Sequence, residues 1–346
     1  GLPDGRASLH HPDEPMGVPV NAQGVPEPLP FDAFGRRRAE LTNMLNPDRP
    51  LVNPNNPAEK SERGRLADRI ATARKNPSRT PEQSAALAVD LLRFGRPDGA
   101  PAAFQGQRRG FLPNVTLAHV AAAQGEWGQA FEYLDIANES PPGAVPGVTP
   151  QQLAWQVKLN RGPLARFVRL RWEEAKTGRP PAPESQLPDA IFPVDFTKVE
   201  GPALAPAEQA KLPPDALATA QQFVLWFPSD PRLYWLLAEV YAAKGQFAEA
   251  RRIMDAVVDG FKYSNRKVLM QHREAVTKAA NEKGSAAPDE ALLAPADKPP
   301  DETPAPVEPP LSLRTVWVYF GVVGAVALFA LVRALTKKPT DRPRIG

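Results

Sequence analysis

The sequence of 346 residues predicts an all-α protein: a solenoid of helical hairpins, preceded by a proline-rich N-terminal arm and followed by one C-terminal transmembrane helix. Three observations predict this class. Apolar residues recur at helical spacing in consecutive segments, one pair of segments joined at a glycine occurs twice, and one long uncharged apolar run stands near the C-terminus. The 42 prolines, more than twice the ordinary share of roughly 5 %, exclude one uninterrupted domain.

Composition excludes several functional classes. The absence of cysteine excludes disulfides, a cysteine nucleophile and thiolate-bound metals. The four histidines do not form a metal-ligand spacing, and no phosphate-binding loop, HExxH zinc motif or nucleophile elbow is present in the sequence. We therefore expect neither an enzyme nor a bound cofactor or metal. The formal net charge of +3 points only weakly to nucleic acid, so no nucleic-acid partner is expected.

Residues 1–59 form the predicted arm. Eleven prolines fall between Gly1 and Pro57, where apolar residues are few, so this part is expected to be extended. One helix is predicted within it, over Asp32–Leu45. The apolar side chains available to dock this helix on the body of the protein are Phe31, Phe34, Leu41 and Leu45.

Helical patterns take over from residue 60. The first predicted helix, Ser61–Lys75, is charged and only moderately amphipathic. The second, Thr80–Phe94, has a strong start signal, because Thr80 can cap the helix, Pro81 suits its first position and Gln83 completes a capping box. Gly95 is expected to end this helix.

Two segments, 112–142 and 230–261, repeat one pattern. Each contains two apolar-periodic stretches around a central glycine, which predicts an antiparallel pair of helices. When Gly125 is aligned with Gly245, residues of matching size coincide throughout the unit. The aligned pairs are Leu117 with Leu237, Ala118 with Ala238, Trp127 with Phe247, Ala130 with Ala250, Leu134 with Met254 and Ala137 with Val257.

This unit resembles the tetratricopeptide repeat, a helical hairpin of about 34 residues with small and aromatic residues at fixed positions. The matching residues of the second copy are Tyr234, Leu237, Ala238, Tyr241, Gly245, Phe247, Ala250 and Met254. Two positions depart from the family pattern: Lys262 stands where proline is frequent, and the first copy has Asn114 in place of the leading aromatic residue. The resemblance implies a helical solenoid over residues 60–283 that binds other proteins.

Other segments complete this domain. Residues 149–159 and 163–176 predict a helix pair that is split at Arg161-Gly162-Pro163 and that can take the place of one repeat. Residues 214–228 match the second helix of a third, partial copy, whose first helix over Thr197–Lys211 is degenerate because it contains two prolines. A closing helix is predicted over Ser264–Lys278.

An acidic, proline-rich stalk is predicted over residues 284–313, and a membrane anchor follows it. Residues 315–332 are uncharged and mostly apolar between two arginines, and this length is just sufficient to cross a bilayer, so a transmembrane helix is expected over residues 314–335. Gly321 and Ala325 form a small-residue face for pairing with another helix. A buried core helix is the alternative interpretation of the apolar run.

The charges that flank the anchor predict its orientation. The tail, residues 336–346, is basic, whereas the stalk is acidic, so the positive-inside rule places the tail in the cytoplasm. The rest of the chain is then expected outside the cytoplasm, in the periplasm, after removal of a signal peptide. A tail-anchored protein with a cytosolic body is the alternative.

Two candidate binding surfaces follow from the sequence. The first helices of the repeats are expected to line a concave groove that binds a peptide or protein, with Trp235 as an aromatic anchor. Packing of Trp235 on the preceding partial repeat is an equally weighted alternative. The residues of this predicted groove are Trp235, Arg232, Glu239, His119 and Val115.

The second candidate is a basic patch, suited to anionic lipid, an anionic polymer or an acidic protein. A solvated helix face is the alternative explanation. The patch residues are Lys158, Arg161, Arg166, Arg169, Arg171, Lys176 and Arg179.

Taken together, these features predict a membrane-anchored interaction scaffold, or an accessory subunit of an envelope complex. A structural subunit buried permanently in a larger membrane assembly is one alternative, and an enzyme is a remote one.

Overall fold

The computed structural model describes residues 17–145, 147–177, 188–261 and 267–282, all of which belong to one compact unit. Within these ranges the protein is predominantly helical, which confirms the all-α class. The predicted stalk, transmembrane helix and basic tail, with Gly321 and Ala325, lie outside the described residues. None of the helices within the described ranges is both long and apolar enough to span a bilayer.

The helices follow the predicted segments closely. A π-helical turn, Asn160–Leu164, lies between α7 and α8, and two short antiparallel strand pairs, β1 (Val52–Asn53) with β2 (Asn56–Lys60) and β3 (Val199–Glu200) with β4 (Ala203–Leu204), complete the regular structure. The helices are α1 Phe31–Leu45, α2 Glu62–Lys75, α3 Pro81–Arg93, α4 Ala100–Ala103, α5 Phe111–Ala123, α6 Trp127–Glu139, α7 Pro150–Leu159, α8 Ala165–Lys176, α9 Pro206–Gln209, α10 Ala216–Trp226, α11 Pro231–Ala243, α12 Phe247–Gly260 and α13 Lys267–Glu282.

Local capping sets several helix starts. The Thr80 hydroxyl accepts a hydrogen bond from the backbone N–H of Gln83, whose side chain in turn accepts from the N–H of Thr80. The predicted capping box at α3 is therefore confirmed. An equivalent box between Thr149 and Gln152 begins α7. Each box satisfies two backbone donors that the first helical turn otherwise leaves without partners.

The two predicted hairpins are present as α5 with α6 and α11 with α12. Each turn contains a glycine in the left-handed region, with φ of +76° at Gly125 and +73° at Gly245. Alanines allow the paired helices to approach closely, and Ala130 and Ala250 are fully buried at equivalent positions. The aligned alanines of the two segments therefore lie at contacts between paired helices.

The predicted break at Arg161-Gly162-Pro163 does not occur, and the helical conformation continues from α7 through the π-helical turn into α8. Pro163 has no N–H and its ring would clash with a carbonyl one turn earlier in a regular α-helix. The wider π-helical turn accommodates the proline without ending the helix. In place of the degenerate helix over 197–211, the chain forms the β3–β4 pair and the short α9.

Helix α10 lies at the centre of the fold, since all eleven of its residues are buried. Several earlier helices contact it. From α3, Arg93 donates a hydrogen bond to the Leu225 carbonyl, and from α8 the Phe167 ring meets Phe223 edge to face at 5.7 Å. Helix α1 also packs on α10 and contributes the buried Phe34 to the same hydrophobic core. A helix surrounded in this way must be apolar or hydrogen-bonded on every face.

Substitution of the turn glycine tests how strongly the hairpin depends on its conformation. We expect Gly125→Ala to lower the free energy of unfolding by about 1 kcal/mol, because alanine disfavours positive φ although no atom obstructs its Cβ. Gly162→Ala is the matched control, since Gly162 is helical and equally unobstructed, and it should be neutral or slightly stabilising. Denaturant unfolding of both variants measures the difference, and equal costs would contradict this explanation.

Candidate functional site

The residues predicted to line the groove lie inside the protein. The exposed fraction is 1 % for Trp235 and Val115 and 2 % for His119 and Glu239, while the Arg232 side chain is 13 % exposed and ion-paired. In contrast to the expectation from sequence, none of the five lies on an open groove. Helices α5 and α11, the first helices of the two hairpins, are buried on nearly all faces, so their side chains pack against neighbouring elements.

Trp235 and Glu239 form a buried hydrogen-bonded group with a third residue. The Trp235 indole Nε1 donates to Glu239 Oε1 at 2.8 Å, one helical turn away, and His272 Nδ1 on α13 lies 2.8 Å from the same oxygen. Burial alone would lower the pKa of His272, but the hydrogen bond and charge of Glu239 outweigh it and raise that pKa above its usual value. These contacts join the closing helix α13 to α11.

His119 is enclosed by aromatic rings. Its ring lies 4.9 Å from Trp226 and stacks on Phe227 at 5.5 Å, and neither ring nitrogen has a hydrogen-bond partner among the described residues. Burial, with a smaller contribution from the positive charge of Arg93, lowers the pKa of His119 to about 3. The imidazole is therefore neutral at ordinary pH, and it fills space between α5 and α10.

Two arginines that the sequence assigned to different surfaces meet at one buried carboxylate. Arg171, from the predicted basic patch, binds Asp189 in a bidentate manner with two hydrogen bonds of 2.8 Å. Arg232, from the predicted groove, places Nη2 2.5 Å from Asp189 Oδ1. The side chain of Asp189 is fully buried. We call these three residues, with Glu174 and Asp230, the ion cluster.

The remaining two carboxylates complete the ion cluster. Asp230 accepts from Arg171 Nη2 at 2.6 Å and also caps α11, while Glu174 accepts twice from Arg232 at 2.8 and 2.9 Å. Burial opposes the charge of Arg171, but Asp189 and Asp230 outweigh it and raise the pKa of Arg171 above its ordinary value. The cluster therefore links α8, the segment after residue 188 and α11 through charge-assisted hydrogen bonds.

Other members of the predicted basic patch also have partners within the chain. Lys158 pairs with Asp215 at 2.7 Å, Arg161 donates to the Asn138 carbonyl, and Arg166 donates to the Ile191 carbonyl. Arg179 lies outside the described residues. Lys158, Arg161 and Arg166 remain exposed, but their charged groups are tied to particular positions on the body of the protein.

In the described part of this basic region, helices α6 and α8 carry a stacked aromatic pair that is flanked by cations. The Phe131 and Trp172 rings stack at 5.2 Å with an interplanar angle of 22°, and both are only partly buried. Arg169 lies 5.5 Å from the Phe131 centroid, and Lys176 Nζ lies 3.4 Å from that of Trp172. We call these four residues the aromatic ridge.

A glycine allows the ridge to form. A Cβ atom on Gly128 of α6 would lie 3.1 Å from Trp172 Nε1, so the small residue permits the indole to lie close against the helix. The cations remain exposed while the rings are held between them. Arg169 belongs to the basic patch predicted from the sequence, whereas the sequence does not indicate Phe131 and Trp172 as binding residues. These two residues lie on different helices, so no local pattern predicts that their rings stack.

Comparison with known proteins gives no family. Neither the protein-family models, nor the curated proteins, nor the solved structures include a match to this chain. Within the described ranges, histidine, aspartate and glutamate side chains also form no group of three or more suited to holding a metal ion.

Removal of one arginine tests the ion cluster. We expect Arg171→Met to lower the free energy of unfolding by about 3–5 kcal/mol, because it leaves the buried Asp189 and its neighbouring carboxylates undercompensated. Arg161→Met removes an exposed cation that donates only to a backbone carbonyl, and it should change stability by no more than about 0.5 kcal/mol. Similar losses in both variants would show that Arg171 does not compensate the buried charge of Asp189.

The pH dependence of stability tests the state of His119. Because its pKa is lowered from 6.5 to about 3 on folding, the unfolded chain binds more protons between these values, and stability falls as the pH decreases through this window. His119→Phe should remove a slope of up to about 1.4 kcal/mol per pH unit there. Chemical denaturation at a series of acidic pH values measures it.

His272→Gln provides the comparison, because the pKa of His272 is raised on folding and therefore affects stability with the opposite sign. The stabilisation that His272 contributes is present below its pKa in the unfolded chain, and it is lost as the pH rises through its pKa in the folded protein. An acid slope that is unchanged in His119→Phe would contradict a neutral, buried His119.

Proposed function

We propose that this chain is a membrane-anchored scaffold with tetratricopeptide-like hairpins, or an accessory subunit of an envelope complex, and that it binds a protein partner. Support comes from the two helical hairpins, which share turn glycines of the same conformation and buried alanines at equivalent positions. Hairpins of this kind commonly serve as rigid surfaces for protein recognition. In this proposal they form part of a helical solenoid over residues 60–283.

The proposal includes the predicted anchor and its orientation. The uncharged run within residues 314–335 would hold the protein in the membrane, with the basic tail in the cytoplasm and the helical body in the periplasm. The acidic stalk over residues 284–313 would separate the body from the bilayer, and Gly321 with Ala325 would pair with a helix of another membrane protein.

The aromatic ridge is the observation that carries the partner-binding proposal. Tryptophan and arginine are enriched among residues that dominate binding energy, and here the rings are already stacked in a fixed arrangement. A side chain that is held in place before binding loses less conformational entropy when a partner arrives. The exposed Arg169 and Lys176 favour an acidic partner segment.

Charge reversal on the ridge tests this function. In native membranes, Arg169→Glu combined with Lys176→Glu should reduce crosslinked partner recovery at least tenfold, because acidic side chains would repel an acidic partner. Arg161→Glu changes an exposed cation outside the ridge and should preserve recovery. Circular dichroism of each variant checks that the helices persist. If the double variant recovers the same partners in the same yield as the unchanged chain, the ridge is not the binding surface.

A further inference from the structure

Residues 17–29, which we call the strap, fold back on themselves around Asn21. The Asn21 side-chain carbonyl accepts from the N–H groups of Gln23 and Val25, both at 3.0 Å, which closes a compact turn. The parts of the strap before and after this turn, which we call its two legs, lie antiparallel, since Val20 and Pro26 form an isolated β-bridge. Both legs therefore reach the body of the protein side by side.

The legs are held by two consecutive glutamines of α10, the glutamine pair Gln221 and Gln222. The N–H of Val18 donates to Gln222 Oε1 at 3.0 Å. The N–H of Leu29 donates to Gln221 Oε1 at 2.8 Å, and Gln221 Nε2 donates to the Leu29 carbonyl at 2.9 Å. Every one of these bonds joins a glutamine side chain to main-chain atoms of the strap. The contact therefore recognises an extended backbone and does not read side-chain identity.

Both contacted residues immediately precede proline. Val18 stands before Pro19 and Leu29 stands before Pro30. A following proline restricts a residue to extended conformations, so its N–H and C=O are set in advance for a ligand that lies alongside. At both legs, the glutamine pair thus binds the main chain of a residue that a following proline holds extended.

The strap is only lightly buried, although the glutamines that hold it are completely buried. Val18 is the single strap residue that is buried, at 2 % exposure, and Val25 is 54 % exposed. Segments with few buried apolar contacts open at low free-energy cost. The strap is therefore attached by its hydrogen bonds to the glutamine pair and by the apolar contacts of Val18, Val20 and Leu29 with the core.

One polar atom of the site is left without a partner. Gln222 Nε2 is buried and donates a hydrogen bond to no acceptor among the described residues. Gln221 Nε2, in contrast, also donates to the Tyr241 hydroxyl at 2.7 Å. An unsatisfied buried donor is unfavourable. A ligand that supplied a carbonyl to this atom would satisfy the glutamine pair more completely than the strap does.

We propose that the glutamine pair is a docking site for an extended, proline-containing segment of a partner protein, and that the strap occupies the site as an internal ligand until such a segment displaces it. This site shares no residue with the aromatic ridge and goes beyond the function proposed above. Neither glutamine belongs to the groove that the sequence predicted on α5 and α11.

Variants of the strap free the site without altering the glutamines. Leu29→Pro removes the N–H that Gln221 accepts, and Gly17→Val introduces a Cβ that would lie 2.1 Å from Gln222 Oε1. In the full chain, each variant should increase proteinase K cleavage within residues 17–29 at least tenfold. If neither variant increases cleavage, other contacts retain the strap and the proposal fails.

Binding in trans then tests the site itself. The probe is a fluorescein-labelled synthetic peptide of residues 17–30, measured by fluorescence anisotropy with the full chain. The Leu29→Pro and Gly17→Val chains should bind this peptide at least tenfold more tightly than the unchanged chain, whose site is occupied. Addition of Gln221→Leu to either variant should abolish the gain, as should a peptide that itself carries Leu29→Pro.

Two outcomes of these experiments would overturn the proposal. Absence of peptide binding to chains with a cleavable strap would overturn the proposal and leave the strap a purely structural segment. Binding that survives Gln221→Leu would also overturn it, because the glutamine pair would not be the site. Arg169→Glu with Lys176→Glu should leave peptide binding unchanged, so failure of the ridge as a partner surface is distinguishable from failure of this site.

Discussion

The complete burial of α10 is the constraint on which the rest of the structure depends. All eleven residues of this helix are removed from solvent, yet three of them, Thr219, Gln221 and Gln222, are polar. Buried amides require hydrogen-bond partners, and a helix surrounded by other helices cannot obtain them from water. The strap supplies main-chain partners to both glutamines, and Tyr241 supplies a hydroxyl. The N-terminal strap is thus positioned by the polar requirements of a helix some two hundred residues later in the sequence.

The ion cluster connects α8, the segment after residue 188 and α11. Its three carboxylates and two guanidinium groups join these elements through charge-assisted hydrogen bonds, beside the hydrophobic core that the same elements share. Such a cluster is a weak source of net stability, since desolvation offsets much of the attraction, but loss of one member is costly. Its main effect is therefore to specify one arrangement of α8, the returning segment and α11.

Sequence patterns identify the helices of this protein better than they identify its surfaces. Capping boxes at Thr80 and the turn at Gly125 depend on neighbours a few residues away, so they can be predicted locally. Helices α5 and α11 are apolar on nearly every face, and periodicity cannot assign an exposed side to such a helix. For this reason the sequence leaves Trp235 equally suited to a groove and to packing inside the protein, and the structure shows it buried. The stack of Phe131 on Trp172 and the meeting of Arg171 with Arg232 depend on tertiary pairing that has no local sequence signal.

Prolines in this chain both interrupt regular helix geometry and hold neighbouring residues in an extended conformation, and the extended conformation bears on recognition. Within α7–α8, Pro163 forces a π-helical turn, whereas Pro19 and Pro30 set the preceding residues in the extended form that the glutamine pair binds. Because those bonds involve only the main chain, any extended residue before a proline satisfies them equally well. Discrimination between ligands must therefore come from side chains, and Val18 is the only strap side chain that is buried. A partner segment would compete best when a β-branched apolar residue of similar size precedes its proline, since that residue would fill the same space while its backbone meets Gln222.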